Sequence, residues 1–550
     1  MLGPMKRASG ALFGCLLLVG CGGAAKPADV PPVVISPESD AGADAMSSAP
    51  AAAAQDAPLV LTPACGVALA SHFSSLKQPM QLTAYVTKGL WDERPKGGAL
   101  VGLLRDIERA GAGKISLSVV DPTTESERDA ARKAGCAAQP TGVASGDATR
   151  SVVEMGYSCL VVAYGGQTDA IKYLPPQRVD GLEFWVANKL REVTDLAAGV
   201  KHRIGLLTGH GEIALSEANL VPASMGVPSL RKIMVDNFPH YSLEDVDLKG
   251  GSQDLDDALD GLVMTQPEKA ISEKELRAID RFVMKGKRLA VFAGAVNVRA
   301  GDASMVGSLD THGVEKLLLG YGIELRRDAV VDFGSPFRVT VGTASGAVLL
   351  HVPSIPRVLA AEQTGDSAET PLDQAFPALF RITELSVPFA SSLALAPEKQ
   401  RAAKLRAVLR TSAPTAPETT AVVSMSPFRT WSPPVGGKAP STRAVVGAVA
   451  EGELKSAFGS DVSPKTAGVF VVASSQFLAN PFARASNPTG AARTLLSQAK
   501  PSPDAEKLAQ LAAPYAQDQL TSTILVFKNT IDWMTGDAVS ACALPAKNRQ

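Results

Sequence analysis

The ten residues from Arg203 to Glu212, R-I-G-L-L-T-G-H-G-E, constrain the fold more than any other stretch of this chain. An apolar run from Ile204 to Leu207 ends abruptly in a polar, glycine-rich loop. Short apolar runs of this kind are typical of buried parallel strands, whose carboxyl edge is where open α/β folds place their ligands. Glycine on both sides of His210 permits positive φ in the loop. The pattern therefore predicts a buried strand that delivers His210 and Glu212 to a sheet edge.

This loop supplies the candidate binding residues of the chain, namely Thr208, Gly209, His210, Gly211 and Glu212. An imidazole beside a carboxylate suits acid–base chemistry, metal ligation, contact with a ligand or partner, or a structural turn, and the residues alone leave these alternatives open. A catalytic zinc site needs three protein ligands, and no H-E-x-x-H motif occurs, so we expect no metal site. His202 precedes the strand and is expected at its opposite end. We predict a binding loop and no catalytic residues.

Composition and motifs exclude several functional classes. A chain of 550 residues is too long for a single core, which favours about two to four domains. Lys and Arg number 54 against 55 Asp and Glu, so no nucleic-acid partner is indicated. The sequence contains no phosphate-binding loop and no G-x-S-x-G elbow, which argues against ATP hydrolysis and against an esterase. We expect no cofactor.

The first 21 residues resemble a bacterial lipoprotein signal. Lys6 and Arg7 precede an apolar run, Ala11–Val19, that is too short for a stable membrane anchor. The run ends in small residues before Cys21, which we predict becomes the lipidated first residue of the mature chain, with palmitate among its acyl groups. A plain secretory signal with an incidental cysteine is the alternative. We expect a cell-envelope protein that faces the periplasm, and the residues leave inner versus outer membrane open.

Residues 22–60 are predicted to form a disordered tether. They are rich in Ala, Pro and Ser and have few large apolar side chains, so they cannot build a core. A flexible segment of roughly 40 residues reaches on the order of 35 Å. The tether would let a folded body stand away from the membrane without leaving it.

Export makes disulfides possible for the four cysteines of the mature body. Cys136 and Cys159 lie close in sequence and are the favoured pair, and a Cys65–Cys542 bond would join the two ends of the body. Free buried thiols are the alternative. No C-x-x-C pair occurs, so neither a redox site nor a zinc ribbon is predicted.

The order of apolar segments predicts an α/β protein of three parts. Residues 61–200 alternate strands and helices in an order that fits a thioredoxin-like unit. Residues 201–335 continue this alternation with short loops, which favours a doubly wound parallel sheet of the flavodoxin class. Residues 336–550 are expected to be rich in β-strands until an apolar helix near Ser522–Trp533.

Three local patterns add detail. The S-E-K-E sequence from Ser272 to Glu275 predicts a helix start with a capping box. The acidic run from Asp254 to Asp260 lacks the spacing of a calcium loop and is predicted to be a solvated helix face. Residues 413–440, rich in Pro, Ser and Thr, are predicted to be a mobile insertion.

Several segments in a fixed order resemble one family, the auxiliary extracytoplasmic components of uncharacterised ABC-type transport systems, which includes the gliding-motility protein GldG. The matching pieces are I-G-L-L-T-G-H-G-E (204–212), D-G-L-V-M-T-Q-P (260–267), G-Y-G-I-E-L-R-R-D-A-V-V-D (320–332), V-F-V-V-A-S-S-Q-F-L-A-N (469–480) and N-T-I-D-W-M-T-G-D (529–537). The resemblance implies a thioredoxin-like unit, then a glutamine-amidotransferase-like unit. It also implies an ABC permease and a separate ATPase subunit as partners.

The chain departs from this family at two points. Members usually carry a C-terminal transmembrane helix, whereas only Ala538–Gln550 follow the D-W-M segment here, so we expect the lipid on Cys21 to supply the anchorage. The amidotransferase fold places a catalytic cysteine at a strand-to-helix elbow, but the matching segment Phe292–Val296 contains neither Cys nor Ser.

These observations predict a non-catalytic periplasmic lipoprotein that assists an ABC-type transport or gliding-motility complex. A glycan- or peptidoglycan-binding module that uses the same sheet edge is one alternative, although aromatic residues make up only 5% of the chain. A degenerate hydrolase or amidotransferase-like enzyme that uses His210 and Glu212 is the other.

Overall fold

The structure, a computed structural model, describes most of the chain from residue 61 onward. The described residues are 61–88, 90–91, 99–146, 151–174, 182–217, 219–221, 229–343, 346–360, 371–433, 443–486, 502–535 and 542. The predicted signal, the lipid site at Cys21 and the tether to residue 60 lie outside these residues.

The first elements form a four-stranded sheet with helices packed on it, and a separate two-stranded sheet of β3 and β4. They are α1 (Pro63–Ser74), β1 (Met80–Val86), α2 (Ala99–Ala110), β2 (Ile115–Val120), α3 (Glu125–Lys133), β3 (Gln139–Gly146), β4 (Ser151–Gly156), β5 (Ser158–Tyr164), β6 (Gln167–Ile171) and α4 (Leu182–Ala198). The strand order is β2-β1-β5-β6, in which β1 and β2 are parallel and the other pairs antiparallel. Helix α2 buries Leu100, Leu103 and Leu104 completely, because residues three and four apart share one helix face.

Two disulfide bonds confirm both predicted cysteine pairs. Cys136 and Cys159 are bonded with their Cα atoms 5.6 Å apart. Cys65 in α1 is bonded to Cys542, 477 residues away in sequence, with Cα atoms 4.4 Å apart. The alternative of free buried thiols is therefore wrong. The second bond ties the start of the described body to its end.

A nine-stranded sheet organises the rest of the molecule. The first elements of this part of the chain are β7 (His202–Thr208), α5 (Leu230–Asn237), β8 (Tyr241–Asp247), β9 (Gly261–Thr265), α6 (Glu273–Met284), β10 (Arg288–Phe292), β11 (Val296–Val298), β12 (Val306–Leu309), α7 (Val314–Gly320), β13 (Ile323–Leu325) and β14 (Ala329–Asp332), some of which form smaller sheets of their own. The remaining elements are β15 (Pro336–Thr343), β16 (Gly346–Leu359), β17 (Glu384–Ser386), β18 (Leu393–Leu395), β19 (Ala403–Arg410), β20 (Thr415–Glu418), β21 (Val422–Ser424), β22 (Val445–Gly452), β23 (Gly468–Val472), α8 (Pro481–Ser486) and α9 (Pro503–Met534).

The sheet is mixed, with a parallel centre and an antiparallel flank. Its order is β13-β18-β22-β23-β10-β9-β7-β8, and β19 also pairs with β22. The five strands β23, β10, β9, β7 and β8 run parallel to one another, whereas β22 is antiparallel to β23, and β18 is in turn antiparallel to β22. The protein is thus a mixed α/β fold with parallel and antiparallel sheets. Strands from both sides of residue 335 share this one sheet, because β23 lies directly beside β10.

Alternation along the central strands divides the core into two layers. In β10, Leu289 and Val291 pack with helices α6 and α7, whereas Ala290 and Phe292 pack with α5 and α9. Successive side chains of a strand point to opposite faces, so an unbroken apolar run such as L-A-V-F, residues 289–292, requires cover on both faces. The central strands are covered in this way.

Two local predictions are wrong and one is confirmed. Ser272 accepts from the Glu275 backbone N–H while the Glu275 carboxylate accepts from Ser272, the predicted capping box. The acidic run at residues 254–260 is a loop and not a helix face. Within the expected insertion, β20 pairs with β14 and β21 pairs with β12, so this segment is built into the fold, and residues 434–440 lie outside the described part.

The last helix, α9, is 32 residues long and begins well before the predicted start at Ser522. Ser502 caps it, and its first half carries Leu508, Leu511 and Tyr515 at helical spacing on a buried face. Across the described residues, every helix is either too short or too polar to span a bilayer.

Candidate functional site

The predicted loop follows β7, the strand at which the order of strands along the sheet reverses. Strand β7 has β8 on one side and β9 on the other, so the chain moves outward from β7 and then crosses back over it. In open α/β sheets, ligands bind in the crevice that such a reversal leaves at the carboxyl ends of the strands. Residues 208–212 leave β7 at this crevice, as the sequence predicted.

Two glycines allow the loop to fold back over the edge of the sheet. Gly209 has φ of 115° and Gly211 has φ of 79°, both in the region that favours glycine. A Cβ atom on Gly209 would lie 3.0 Å from Oδ1 of Asp247, at the end of β8. The loop therefore needs glycine both for its backbone angles and for its close approach to the neighbouring strand.

The fold-back places His210 between two carboxylates. Its Nδ1 lies 2.9 Å from Oε1 of Glu212, and its Nε2 lies 3.1 Å from Oε2 of Glu275. The His210 backbone N–H also donates to Oε2 of Glu212 at 2.8 Å. The residue is 7% exposed, so both ring nitrogens are engaged inside the protein. We call this arrangement of His210, Glu212 and Glu275 the carboxylate clamp.

Glu275 connects the clamp to the start of helix α6. The same carboxylate accepts hydrogen bonds from the backbone N–H and hydroxyl of Ser272, at 2.9 Å and 2.7 Å, and from the Gly250 backbone N–H at 3.0 Å. The two motifs that the sequence revealed separately, the His210 loop and the capping box, therefore meet in one cluster. The cluster fixes the loop to the helix.

The electrostatics favour a charged imidazole. Burial lowers the pKa of His210, but hydrogen bonds to Glu212 and Glu275 outweigh that effect and raise the pKa above its ordinary value of 6.5. Burial likewise raises the pKa of Glu275, yet its bonds to Ser272 and His210 hold that pKa below the usual range. An imidazolium between two carboxylates is a stable ionic arrangement.

This geometry suits a fixed loop better than a reaction centre. A general base needs a free nitrogen lone pair within reach of substrate, whereas both nitrogens of His210 face carboxylates. A metal ion at His210 would have to displace one of them. Among the described residues, metal-ligating atoms cluster at Cys65, Glu183 and Cys542, where the two sulfurs are bonded to each other and supply no thiolate.

The exposed part of the loop is mainly backbone. Gly209 and Gly211 are exposed, Thr208 and Glu212 are half-buried as whole residues, and His210 is buried. The His210 carbonyl accepts hydrogen bonds from the backbone N–H groups of Glu268 and Lys269. Any partner at this edge therefore meets a rigid glycine backbone flanked by the exposed residues Glu268 and Lys269.

A second polar cluster at the same edge was not predicted. Gln266, directly after β9, accepts from the Gly294 backbone N–H at 2.8 Å and donates to Asn297 at 2.7 Å. His312 Nε2 lies 3.0 Å from the same Asn297 oxygen. Gln266 directly follows β9, and His210 follows the end of β7 by two residues. This position after a strand was the sequence signal that could have identified Gln266.

A shallow cavity of about 370 Å³ lies beside β8, lined mainly by charged side chains. Arg203 forms ion pairs there with Glu244 at 2.7 Å and with Asp256 at 2.8 Å, and Lys249 pairs with Asp247 at 2.6 Å. The two remaining carboxylates of the lining, Asp245 and Asp254, pair with Arg231 and Arg281, which lie outside it.

The largest buried ionic cluster lies at the opposite end of the same strands. Asp532 of α9 accepts from Arg191 of α4 at 3.1 Å and from Lys528 at 2.6 Å, and Tyr241 at the start of β8 also donates to it. Lys528 bridges on to Glu192 of α4 at 2.7 Å. We call these five residues the amino-end network. Its partners are far apart in sequence, and no local pattern marks them.

Comparison with known proteins gives the family. The model of the ABC-type uncharacterized transport system family matches residues 201–500, more than half of the chain, beginning at β7 and the clamp. The chain belongs to this family of auxiliary transport components. No curated protein matches it.

Among solved structures, the chain is similar to the "mmIFT52 N-terminal domain", with 13% identity. The match covers 57% of this chain and 96% of that one, at a TM-score of 0.27. A likeness at that level supports no argument about fold or function.

Proposed function

We propose that this protein is a lipid-anchored, non-catalytic subunit that faces the periplasm and assists an ABC-type transporter. The observation that carries the proposal is the family match, which starts at the strand leading into the carboxylate clamp. The predicted lipid on Cys21 would hold the body at the membrane, and a separate subunit would hydrolyse ATP. Gliding motility is one process that such a complex could serve.

The proposed docking edge is the His210 loop. Binding is favoured when a surface is already in its bound shape, because less conformational freedom is lost. The clamp supplies that rigidity, since it holds the loop through both ring nitrogens of His210 and through the start of α6. The exposed Gly209 and Gly211 would allow a partner backbone to approach closely.

The proposal includes a more specific fold type for each of the two units. The order β2-β1-β5-β6, with β1 and β2 parallel and the others antiparallel, supports a thioredoxin-like unit. The parallel strands β7 to β10 with their crossover helices support a flavodoxin- or amidotransferase-like unit. The second unit would not be an amidotransferase, because the elbow at residues 292–296 lacks a nucleophile.

Site-specific crosslinking tests the docking edge. A photo-crosslinking amino acid at Lys269, beside the loop, should capture a multi-span permease in intact cells. The matched control is Lys201, an exposed lysine that lies before β7 at the opposite end of the strand. Capture from position 269 and not from 201 is expected. Equal capture from both positions, or none from either in a membrane fraction that contains the protein, would refute the docking edge.

The enzymatic alternative has its own test. His210→Ala and Glu212→Ala should leave any hydrolase activity of the purified protein unchanged, because the proposal assigns none to these residues. A hydrolytic activity that both substitutions abolish, in protein that keeps its circular dichroism spectrum, would replace the proposal with a catalytic function.

A further inference from the structure

The long hairpin of β15 and β16 extends beyond the core that supports its base. Cross-strand partners share a face, and one face carries the pairs Phe337–Val352, Val339–Leu350 and Val341–Val348. Phe337 and Val339 are 1% and 5% exposed because they pack with the first half of α9. Val348, on the same face, is 47% exposed. The apolar face therefore continues past the edge of the core.

The opposite face of the hairpin carries one exposed apolar side chain at the same level. Leu349 pairs with Thr340 and is 52% exposed. Because consecutive strand residues point to opposite faces, Val348 and Leu349 present apolar side chains in two directions. We call residues 339–343 and 346–350 the hairpin tip.

The hairpin tip carries no charge and leaves its edges open. Neither strand has a charged residue between Val339 and Thr343 or between Gly346 and Leu350. Within the described residues, β15 pairs only with β16, and the far edge of β16 pairs with β17 only at Arg357–Leu359. Exposed edge strands in soluble proteins are usually protected by charged side chains. This tip lacks that protection.

We propose that the hairpin tip inserts shallowly into the surface of the phospholipid bilayer. This inference rests on the proposed lipid anchor, because a tether with a reach on the order of 35 Å would keep the tip close to the membrane. A protein partner would cover one face, whereas a bilayer surface surrounds both Val348 and Leu349. Shallow insertion keeps the open strand edges among hydrated headgroups, where their N–H and C=O groups stay hydrogen-bonded.

Tryptophan quenching tests the inference in the full-length protein. The acylated chain carrying Leu349→Trp is reconstituted into phosphatidylethanolamine–phosphatidylglycerol vesicles that contain brominated lipids. The matched control is Val462→Trp, at a valine 60% exposed that follows Asp461 and forms an isolated β-bridge with Lys455. After subtraction of the signal from the four native tryptophans, the signal at position 349 should be quenched and that at position 462 should not.

A partition measurement gives a second readout. In the non-acylated Cys21→Ala chain, Val348→Asp should lower vesicle binding at least about fivefold, as expected for removal of one apolar contact. Val462→Asp should leave vesicle binding unchanged. Both sites are exposed, so neither substitution should affect folding.

The outcomes separate this inference from the proposed function. If the acylated protein floats with vesicles but quenching is no stronger in the Leu349→Trp chain than in the Val462→Trp chain, the membrane role of the tip is refuted and the lipid anchor stands. If the acylated protein does not float, the lipid anchor is refuted. The comparison of Val348→Asp with Val462→Asp in the Cys21→Ala chain then still tests whether the tip binds the membrane. A concentration-dependent blue shift in the emission of the Leu349→Trp chain without vesicles would show that a second copy covers the tip, which also overturns the inference.

Discussion

Buried charges are paired in different ways at the two ends of strands β7 and β8. At the carboxyl end, the carboxylate clamp joins residues of one unit, all between Thr208 and Glu275. At the amino end, the amino-end network joins α4, β8 and α9, and its central pair, Arg191 and Asp532, is 341 residues apart in sequence. The clamp fixes a loop, whereas the network fixes distant parts of the chain to one another.

The histidines at the two ends also differ, in whether their ring nitrogens have hydrogen-bond partners. His210 has a carboxylate at each ring nitrogen, whereas neither ring nitrogen of buried His240 has a hydrogen-bond partner in the described part of the chain. Burial lowers the pKa of His240 to about 4, despite the nearby carboxylates of Glu192 and Asp532, with Lys528 and Arg191 adding to the decrease. Carboxylate partners favour the protonated form of a buried imidazole, whereas burial without a hydrogen-bond partner favours the neutral form.

The two ends also differ in what they hold in place. The carboxyl end presents a rigid loop to the outside, and the amino end holds the last turn of α9 against the sheet. Trp533 lies against Gly468 at the start of β23 and donates to Glu451 at 2.8 Å. Substitutions at the two ends should therefore separate binding from stability.

The largest expected effect is at Asp532. Asp532→Ala removes the carboxylate that Arg191, whose side chain is 2% exposed, shares with the buried Lys528. Lys528 then keeps Glu192 and Arg191 keeps Asp195, and the loss of one partner from such a buried cluster costs up to about 3–5 kcal/mol. Denaturant unfolding measures the loss. The control Asp236→Ala breaks an exposed pair with Lys232 and should cost less than about 0.5 kcal/mol. Equal losses at both positions would show that the network does not hold the assembly.

The disulfide between Cys65 and Cys542 should rank next. It links α1 to the segment beyond α9, so it restricts the unfolded chain over a very long loop. Cys65→Ser with Cys542→Ser should lower the free energy of unfolding by about 2–4 kcal/mol. The local bond, removed by Cys136→Ser with Cys159→Ser, closes a short loop and should cost less. The reverse order would contradict a stapling role for the long-range bond.

His240 should make the protein sensitive to acid. Its folded pKa of about 4 lies below the ordinary 6.5, so the unfolded state takes up the proton first as the pH falls. Stability is therefore lost between pH 6.5 and about 4, by about 3 kcal/mol at most. His240→Phe should flatten this part of the profile relative to the wild type, measured by urea unfolding at each pH. Parallel profiles would mean that carboxylates alone cause the acid sensitivity.

Glu275 should give a smaller loss that depends on its acceptor atoms. Glu275→Ala removes the partner of His210, Ser272 and Gly250, at an expected cost of about 2 kcal/mol. Glu275→Gln keeps one acceptor and should cost less. Glu273→Ala, in the same helix turn but exposed, serves as the control and should have little effect. A large loss at Glu273 would assign the effect to the helix end and not to the clamp.

The clamp should respond to pH in the opposite direction to His240. The pKa of His210 is raised, so its contribution is fully present below pH 6.5 and is lost as the pH rises through the folded pKa. His202 titrates in an overlapping window, because hydrogen bonds to Asp195 and Asp260 outweigh burial and raise its pKa to about 9. His210→Gln is therefore best compared in a His202→Gln background. Unchanged alkaline slopes would show that His210 is neutral in the folded protein.

Much of the fold could be predicted because the signals were local. The apolar run after Arg203 is the core of β7, and the capping box forms as its sequence indicates. Helix α9 was predicted too short because its first half is polar overall, with apolar residues only on one face. Glu275 was recognised as a cap, but no pattern linked it to His210, 65 residues earlier.

The sequence by itself determined strand β7, the capped start of α6 and the position of the His210 loop at a sheet edge. These follow from periodicity, capping and spacing, which act over a few residues. Only the tertiary structure decided that Glu275 completes the clamp and that Asp532 meets Arg191. Buried charges take whichever partner the packing brings near, and that pairing depends on the whole sheet and not on neighbouring residues.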